Sequence, residues 1–224
     1  MRDPRKMLAI LLVTMARPIT GTGPGTSDDA SMALLSAAQN GHLEAVQALL
    51  AKGVSPVAIA ATDKGKTPVM AAASNGHVDV LQLLLEKTGI NAALVVADNH
   101  GDTALLLAAS GGHAHAIRLI LSSTDAEHVQ RLVEADEAGA HSLMMRAVKC
   151  ARPMSCADAV QALLDFGVSA DSYETGSSKS PRDVAAQKAA EACKTEGRQS
   201  PRCLAAAAVA SALPPLADQE KEEL

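Results

Sequence analysis

The chain has 224 residues, a formal net charge of −5 and a hydrophobic fraction of 48%, with one Tyr, one Phe and no Trp. Scarce aromatic side chains and the lack of a basic run argue against nucleic-acid binding, which uses clustered cations and stacking rings. Ala, Leu, Val and Met supply most of the apolar residues, whereas a β-sandwich favours aromatic and β-branched ones, so we predict an all-α protein of short helices.

The N-terminal segment has the layout of a secretory signal peptide. A basic start, MRDPRKM, precedes an apolar run from Leu8 to Ala16, and a Gly/Thr/Pro-rich stretch follows. This pattern predicts a leader over 1–16 and a flexible linker over 17–29. A mitochondrial leader is an alternative, because cations outnumber acids here, and a segment without an address is another. The apolar run is too short to span a membrane, which takes about 20 residues.

Three similar blocks follow, over residues 32–54, 67–90 and 103–123. Each has an Ala-rich apolar run, a turn containing Gly and His, and a Leu-rich run. The turn glycines, Gly41, Gly76 and Gly112, lie 35 and 36 residues apart. Each block predicts a short helix, a tight turn and a second helix with apolar residues three and four positions apart. Neither helix can bury its apolar face alone, so we expect the blocks to stack as a solenoid.

A fourth block is less regular and a fifth is partial. Residues 139–147 follow the template of 101–109, and 159–170 nearly copies 45–56. Segment 124–135 is longer than the other linkers, which predicts an additional helical turn or two. The predicted repeat domain covers 30–196, divided at about 30–61, 62–97, 98–135, 136–173 and 174–196.

Residues 65–73, Gly-Lys-Thr-Pro-Val-Met-Ala-Ala-Ala, carry the clearest motif. The motif resembles the Thr-Pro-Leu-His-x-Ala signature of the ankyrin repeat, whose period is about 33 residues. The resemblance covers residues 30–188 and implies an all-α ankyrin-repeat solenoid of helix-turn-helix units, with linkers that project as hairpin-like fingers. In place of the signature His, which the family uses for hydrogen bonds within the stack, the four blocks have Leu35, Met70, Leu106 and Met144.

The methionines allow two interpretations. Met70 and Met144 stand at the position of the signature His on the first helix, where a core side chain is expected. Alternatively, these two could form an adaptable apolar surface with Met145 and Met154.

The resemblance implies a non-enzymatic module that binds another protein through its fingers and the concave face of the first helices. No catalytic motif, cofactor site or metal site is evident. His113 and His115 point to different faces of a helix, which argues against a chelate. We expect a monomer with a protein partner, no nucleic acid and no membrane span. The predicted binding residues lie on the fingers: Asp63, Lys64, Lys66, Asn99, His100, Asp102, Glu137 and His141.

Four cysteines fall into two local pairs. Cys150 and Cys156 bracket an insertion in the fourth block, and Cys193 and Cys203 flank a polar loop. Four cysteines allow three pairings, of which the local one is the simplest. An oxidising compartment would permit both disulfides, and reduced thiols that fill core gaps are the alternative. Zinc binding is not expected, because neither pair has the spacing of a zinc site.

The C-terminal part predicts a capping helix over 197–213 and a flexible acidic tail over 214–224. The tail ends in Lys221, Glu222, Glu223 and Leu224, which resembles a retrieval signal of the endoplasmic reticulum. With the N-terminal leader, it predicts the lumen of that compartment; a cytoplasmic or mitochondrial location is the alternative.

Two other functions stay open from the sequence. One is a lumenal chaperone-like or quality-control factor that binds client chains loosely. The other is an enzyme with its site in 139–158, where Arg146, Cys150 and Cys156 are the reactive side chains.

Overall fold

The structure, a computed structural model, describes residues 26–56, 65–88, 96–124, 143–150, 153–168, 180–196 and 199–213. These residues form ten α-helices: α1 (Thr26–Asn40), α2 (Leu43–Ala51), α3 (Pro68–Asn75), α4 (Val78–Thr88), α5 (Ala104–Gly111), α6 (Ala114–Ser122), α7 (Leu143–Val148), α8 (Pro153–Asp165), α9 (Pro181–Glu196) and α10 (Pro201–Ala212).

The helices form five consecutive pairs that stack side by side. Each odd-numbered helix packs against the even-numbered helix that follows it. The odd-numbered helices also pack on one another in the order α1, α3, α5, α7 and α9, and the even-numbered helices form a second layer in the same order. The described residues contain no strand, only an isolated antiparallel bridge between Ala97 and Thr103. The predicted all-α solenoid is confirmed.

Polar side chains cap the helices where the sequence changes from linker to block. The Thr67 hydroxyl accepts a hydrogen bond from the backbone N–H of Met70 at 3.2 Å, and Pro68 occupies the first helical position. Ser180 and Asp183 form a reciprocal box, in which each side chain accepts from the other residue's backbone N–H. Such caps satisfy amides that have no partner inside the helix and fix where it begins.

Histidines in the turns join neighbouring pairs. The Nε2–H of His77 donates to the Gln39 carbonyl at 3.0 Å, and the Nε2–H of His113 donates to the Ser74 carbonyl at 3.1 Å. Because a carbonyl only accepts, Nε2 must carry the proton in both rings. Each ring lies against the turn glycine of the preceding pair. His77 and His113 thus supply hydrogen bonds between neighbouring helix pairs, although other residues occupy the signature-His positions.

The junction between the third and fourth pairs has a sulfur in place of this ring. A Cβ added to Gly112 would lie 3.0 Å from Cys150 Sγ and 3.3 Å from Ser155 Cβ. Cys150 is bonded to Cys156. The disulfide therefore fills the space beneath this turn that histidines fill at the two preceding junctions.

The core runs continuously between the two helix layers. Its fully buried large side chains include Leu34, Leu81, Ile117 and Leu163, one from each of the first four pairs. The side chains of Met70 and Met144 have no exposed surface. Core filling is therefore confirmed for these two methionines, and Met145 is buried with them.

The end of the stack is longer than the other pairs. α9 has 16 residues where α3 has eight, so its second half extends past the level of the other turns. α10, predicted as a capping helix, packs on both α9 and α8 and completes a fifth pair. At the other end, α1 begins at Thr26, inside the predicted linker. The predicted leader, residues 125–135 and the tail 214–224 lie outside the described residues.

Candidate functional site

The exposed surface of the odd-numbered helices meets the finger that precedes α5. Arg146 on α7, Lys149 directly after α7 and Ser110 on α5 reach this surface, while the neighbouring apolar residues of both helices are mostly buried. We call this surface the inner face. Its described residues are Lys66, Asn99, His100, Ser110, Arg146 and Lys149.

Asp98 shapes the finger from within. Its Oδ1 accepts from the backbone N–H of His100 at 2.8 Å and from that of Asp102 at 3.0 Å. The backbone N–H of Asp98 donates to the Asp102 carbonyl at 3.0 Å, beside the bridge between Ala97 and Thr103. These bonds close a tight turn, bury the Asp98 side chain and leave Asn99 and His100 exposed at its tip.

Arg146 fastens this finger to the next pair of helices. Its guanidinium donates to an Asp102 carboxylate oxygen and, at 3.3 Å, to the Ser110 hydroxyl. The side chain of Asp102 is only 11% exposed and that of Arg146 is 25% exposed. A charge-assisted bond in this setting is stronger than one at a fully exposed site. Asp102, one of the predicted binding residues, is thus mostly buried with its carboxylate turned toward Arg146, and its part in binding stays a prediction.

Replacing Arg146 by Ala is expected to lower the free energy of unfolding by about 1–2 kcal/mol, because it leaves the mostly buried Asp102 carboxylate without this partner. Chemical denaturation followed by circular dichroism would measure the change. The matched control is Arg118→Ala, which removes the Arg118–Asp165 pair, whose side chains are 43% and 44% exposed. We expect the control to stay near wild type; equal losses in both variants would contradict the role assigned to Arg146.

The Arg118–Asp165 pair links α6 to α8 on the outer layer. A hydrogen bond from Gln161, and then one from Arg118, hold the pKa of the Asp165 carboxyl below its usual value of 3.8. A carboxyl whose pKa is lower in the folded state than in the unfolded state stabilises the fold at pH values above its unfolded-state pKa. This stabilisation is lost as the pH falls through the folded-state pKa. The pair therefore stabilises the fold at neutral pH, and this stabilisation is lost only in acid.

The structure distributes the predicted binding residues unevenly. Asn99 and His100 are exposed at the fingertip, and Lys66 is half-buried ahead of α3. A Cβ added to Gly65 would lie 2.6 Å from Asn99 Oδ1, so the finger before α3 contacts the finger before α5. The remaining predicted finger residues lie outside the described residues: Asp63, Lys64, Glu137 and His141.

Sequence reasoning missed part of the inner face. Ser110 and Lys149 were not among the predicted binding residues, and Arg146 was considered only for catalysis. Their positions carried a signal: Ser110 stands two residues before the turn Gly112, and Lys149 directly precedes Cys150, which replaces a turn glycine. Ser110 lies near the end of the first helix of its block and Lys149 directly follows the first helix of the next, so both positions are next to a turn.

The exposed charges of the described inner face are positive. Lys149 is exposed, and Lys66 and Arg146 are partly exposed. The two carboxylates of the described finger, Asp98 and Asp102, are 7% and 8% exposed as residues. The described part of the inner face therefore presents cations and hides its acids, although the whole chain is acidic.

Both local cysteine pairs are at disulfide distance. The Cα atoms are 5.7 Å apart for Cys150–Cys156 and 4.6 Å apart for Cys193–Cys203, within the range that a disulfide spans. The three reactive residues of the enzyme hypothesis thus have structural contacts: Arg146 with Asp102 and Ser110, and the two cysteines with each other. The retrieval-like residues 221–224 lie outside the described residues.

Two further observations concern the described residues alone. No helix among them is both long enough and apolar enough to cross a bilayer. No group of three or more His, Cys, Asp or Glu side chains in them is arranged to hold a metal ion.

Comparison with known proteins identifies the repeats. A family model described as "Ankyrin repeats (3 copies)" matches residues 7–95, beginning ahead of the predicted repeat domain, and one described as "Ankyrin repeats (many copies)" matches 72–121. Together they span 7–121, or 115 of the 224 residues. No curated protein matches the chain. The family models, the 35- and 36-residue glycine spacing and the stacked helix pairs agree, and the chain belongs to the ankyrin repeat family.

Proposed function

We propose that this protein binds an acidic segment of a partner protein on its inner face. Ankyrin repeats are generally protein–protein interaction modules. The observation that carries the proposal for this chain is the contrast in charge: Lys149, Lys66 and Arg146 reach the surface, whereas Asp98 and Asp102 are turned inward. Opposite potentials on two surfaces favour their encounter and disfavour partners of the same charge.

The surface is held in shape before a partner arrives. Asp98 fixes the fingertip by two backbone hydrogen bonds, and Arg146 ties the base of the finger to α7. A preformed surface loses little conformational entropy on binding, so more of the contact energy becomes affinity. Arg146 uses part of its donor capacity internally, and Lys66 and Lys149 place two further positive charges at this surface.

Charge reversal tests the proposal. We expect Lys66→Glu combined with Lys149→Glu to weaken the binding of an Asp/Glu-rich peptide about tenfold or more, which corresponds to about 1.4 kcal/mol. Fluorescence anisotropy with the labelled peptide measures the change. The matched control is Lys87→Glu, an exposed lysine of the outer helix α4. Wild-type binding should also weaken with added salt, because exposed charges are screened.

Two outcomes would count against an acidic partner. One is equal loss in the inner-face variant and the Lys87→Glu control. The other is stronger binding of an uncharged apolar peptide than of the acidic one, which would favour the client-binding hypothesis of a chaperone-like factor.

We further propose that the protein works in an oxidising compartment, such as the lumen of the endoplasmic reticulum. Support comes from the two cysteine pairs at disulfide distance, which leave no free cysteine in the chain. Disulfides persist in oxidising compartments and are rare in the cytosol.

Rapid alkylation of cells under denaturing conditions, followed by mass spectrometry, tests this location. We expect all four cysteines to escape alkylation until a reductant is added. Four alkylated cysteines without reductant would contradict the proposal. Alkylation of a purified chain that has been reduced and denatured is the positive control.

A further inference from the structure

A cavity of about 460 Å³ lies at the end of the stack, where α9 extends past the turn between α7 and α8. Its volume falls within the range of small-molecule pockets, about 300–1,000 Å³. Most of the wall is apolar and comes from small side chains of α7, α9 and α10. The residues used below are Cys150, Cys156, Lys188, Glu191 and Ala192.

The Cys150–Cys156 disulfide forms part of this wall. Both cysteines line the cavity, although they are only 5% and 3% exposed. On its other side, Cys150 Sγ packs against the turn at Gly112. The cavity therefore brings a molecule of limited size next to two cysteines that are otherwise buried. Cys193 and Cys203 do not line it.

The mouth of the cavity carries both signs of charge. Lys188 and Glu191 are exposed, lie one helical turn apart on α9 and line the opening. The Nζ of Lys188 donates to the Val148 carbonyl at 3.3 Å, which holds this cation close to the start of the disulfide loop. Glu191 Oε1 accepts from Gln187 Nε2 at 2.9 Å. A cation and an anion above an apolar floor suit a ligand that carries both a carboxylate and an ammonium group.

We propose that this cavity admits a small zwitterionic thiol, of the cysteine or cysteinyl-peptide class, which exchanges with the Cys150–Cys156 disulfide. The ligand thiolate attacks one of the two sulfurs. A ligand–cysteine S–S bond forms, the Cys150–Cys156 bond breaks, and the other cysteine leaves as a thiolate that takes a proton from water. The ligand sulfur is oxidised to the disulfide level and the leaving cysteine is reduced, so no further oxidant is required. The product is a mixed disulfide inside the cavity.

The chain contains its own reference for the test. The oxidised full-length protein is incubated with reduced glutathione, or with 2-mercaptoethanol as a small uncharged thiol, and samples are acid-quenched and mapped by mass spectrometry. For each thiol, the rate of mixed-disulfide formation at Cys150–Cys156 is divided by the rate at Cys193–Cys203 in the same molecule. Each rate is calculated per concentration of ligand thiolate, because the thiolate is the attacking species. We expect this ratio to be about tenfold larger for glutathione than for 2-mercaptoethanol, because the charged groups of glutathione can pair with Lys188 and Glu191, whereas 2-mercaptoethanol carries no charge.

Two test variants and one control variant distinguish binding in the cavity from the general reactivity of the disulfide. Ala192→Leu narrows the cavity and should slow the glutathione reaction at Cys150–Cys156, whereas Ala190→Leu, at an exposed position of α9 that does not line it, should not. Lys188→Met changes an exposed charge, and should reduce the preference for glutathione while leaving the 2-mercaptoethanol rate unchanged. Circular dichroism melting confirms that each variant is folded.

The proposal would be overturned by the same rate ratio for both thiols, or by adducts on Cys193 or Cys203 alone. It would also be overturned if Ala192→Leu slowed the reaction no more than Ala190→Leu, or if Lys188→Met left the preference for glutathione intact. The test is independent of peptide binding on the inner face.

Discussion

Replacing Gly76 by Ala is expected to lower the free energy of unfolding by about 3–4 kcal/mol. Gly76 has φ of +74°, and an added Cβ would overlap the imidazole of His113. A left-handed conformation costs an Ala about 1–2 kcal/mol, the displaced ring loses its hydrogen bond to the Ser74 carbonyl, worth about 1 kcal/mol, and repacking adds about 1 kcal/mol or more.

Comparison with Gly53→Ala separates the backbone contribution from the contribution of the His113 contact. Gly53 also has positive φ, +83°, but nothing lies within 4 Å of an added Cβ. This variant should therefore lose only the backbone part, about 1–2 kcal/mol. Urea denaturation would measure the free energy of unfolding of both variants, provided that their m-values equal that of the wild type. Equal losses in Gly53→Ala and Gly76→Ala would mean that His113 does not join the second and third pairs as the structure shows.

Met144→Ala should produce an effect of similar size, about 2–5 kcal/mol, because it removes a fully buried side chain and leaves a cavity between helix pairs. The Met144 side chain has no exposed surface and belongs to the continuous core. Alanine cannot fill this space, because it lacks the part of the Met side chain beyond Cβ.

The matched control for Met144→Ala is Met32→Ala on α1, where Met32 is 43% exposed. This change should alter the free energy of unfolding by less than about 0.5 kcal/mol. The same denaturation measurement applies to both variants. A small effect at Met144 together with a large one at Met32 would contradict the location of the core and would favour the adaptable-surface interpretation of the methionines.

The architecture was predictable because its cause repeats along the chain. Gly41, Gly76 and Gly112 mark turns whose backbone few other residues adopt, and their spacing gives the period directly. The apolar runs on either side cannot bury their faces without neighbours. Local composition and tertiary packing thus favour the same fold, which is why the stack followed from the sequence.

The details of the inner face were less predictable because they depend on contacts between distant residues. Asp102 reads as a polar turn residue, and only its approach to Arg146, 44 positions later, shows that it is turned inward. Arg146 itself stands in a helix whose other described side chains are apolar. Nothing in the sequence near either residue specifies this pairing, so reasoning from turn positions could not show that the Asp102 carboxylate is turned inward.

The fifth pair shows a similar limit. The sequence of α9 resembles a repeat for its first half, then continues as a polar, Ala-rich helix without a turn glycine. Helix propensity predicts that it continues, but not that its extension roofs a cavity above the Cys150–Cys156 disulfide. That arrangement depends on how α9 packs against α7 and α10.

Titration of the ¹⁵N-labelled protein with an Asp/Glu-rich peptide tests the central claim most directly, because amide shifts report where the peptide binds. We expect the shifts to concentrate at Asn99, His100, Ser110 and Lys149, with small changes along the outer helices at Lys87, His115 and Arg118. Shifts that cluster on the outer helices, or no shifts at a large molar excess of peptide, would contradict an acidic partner on the inner face.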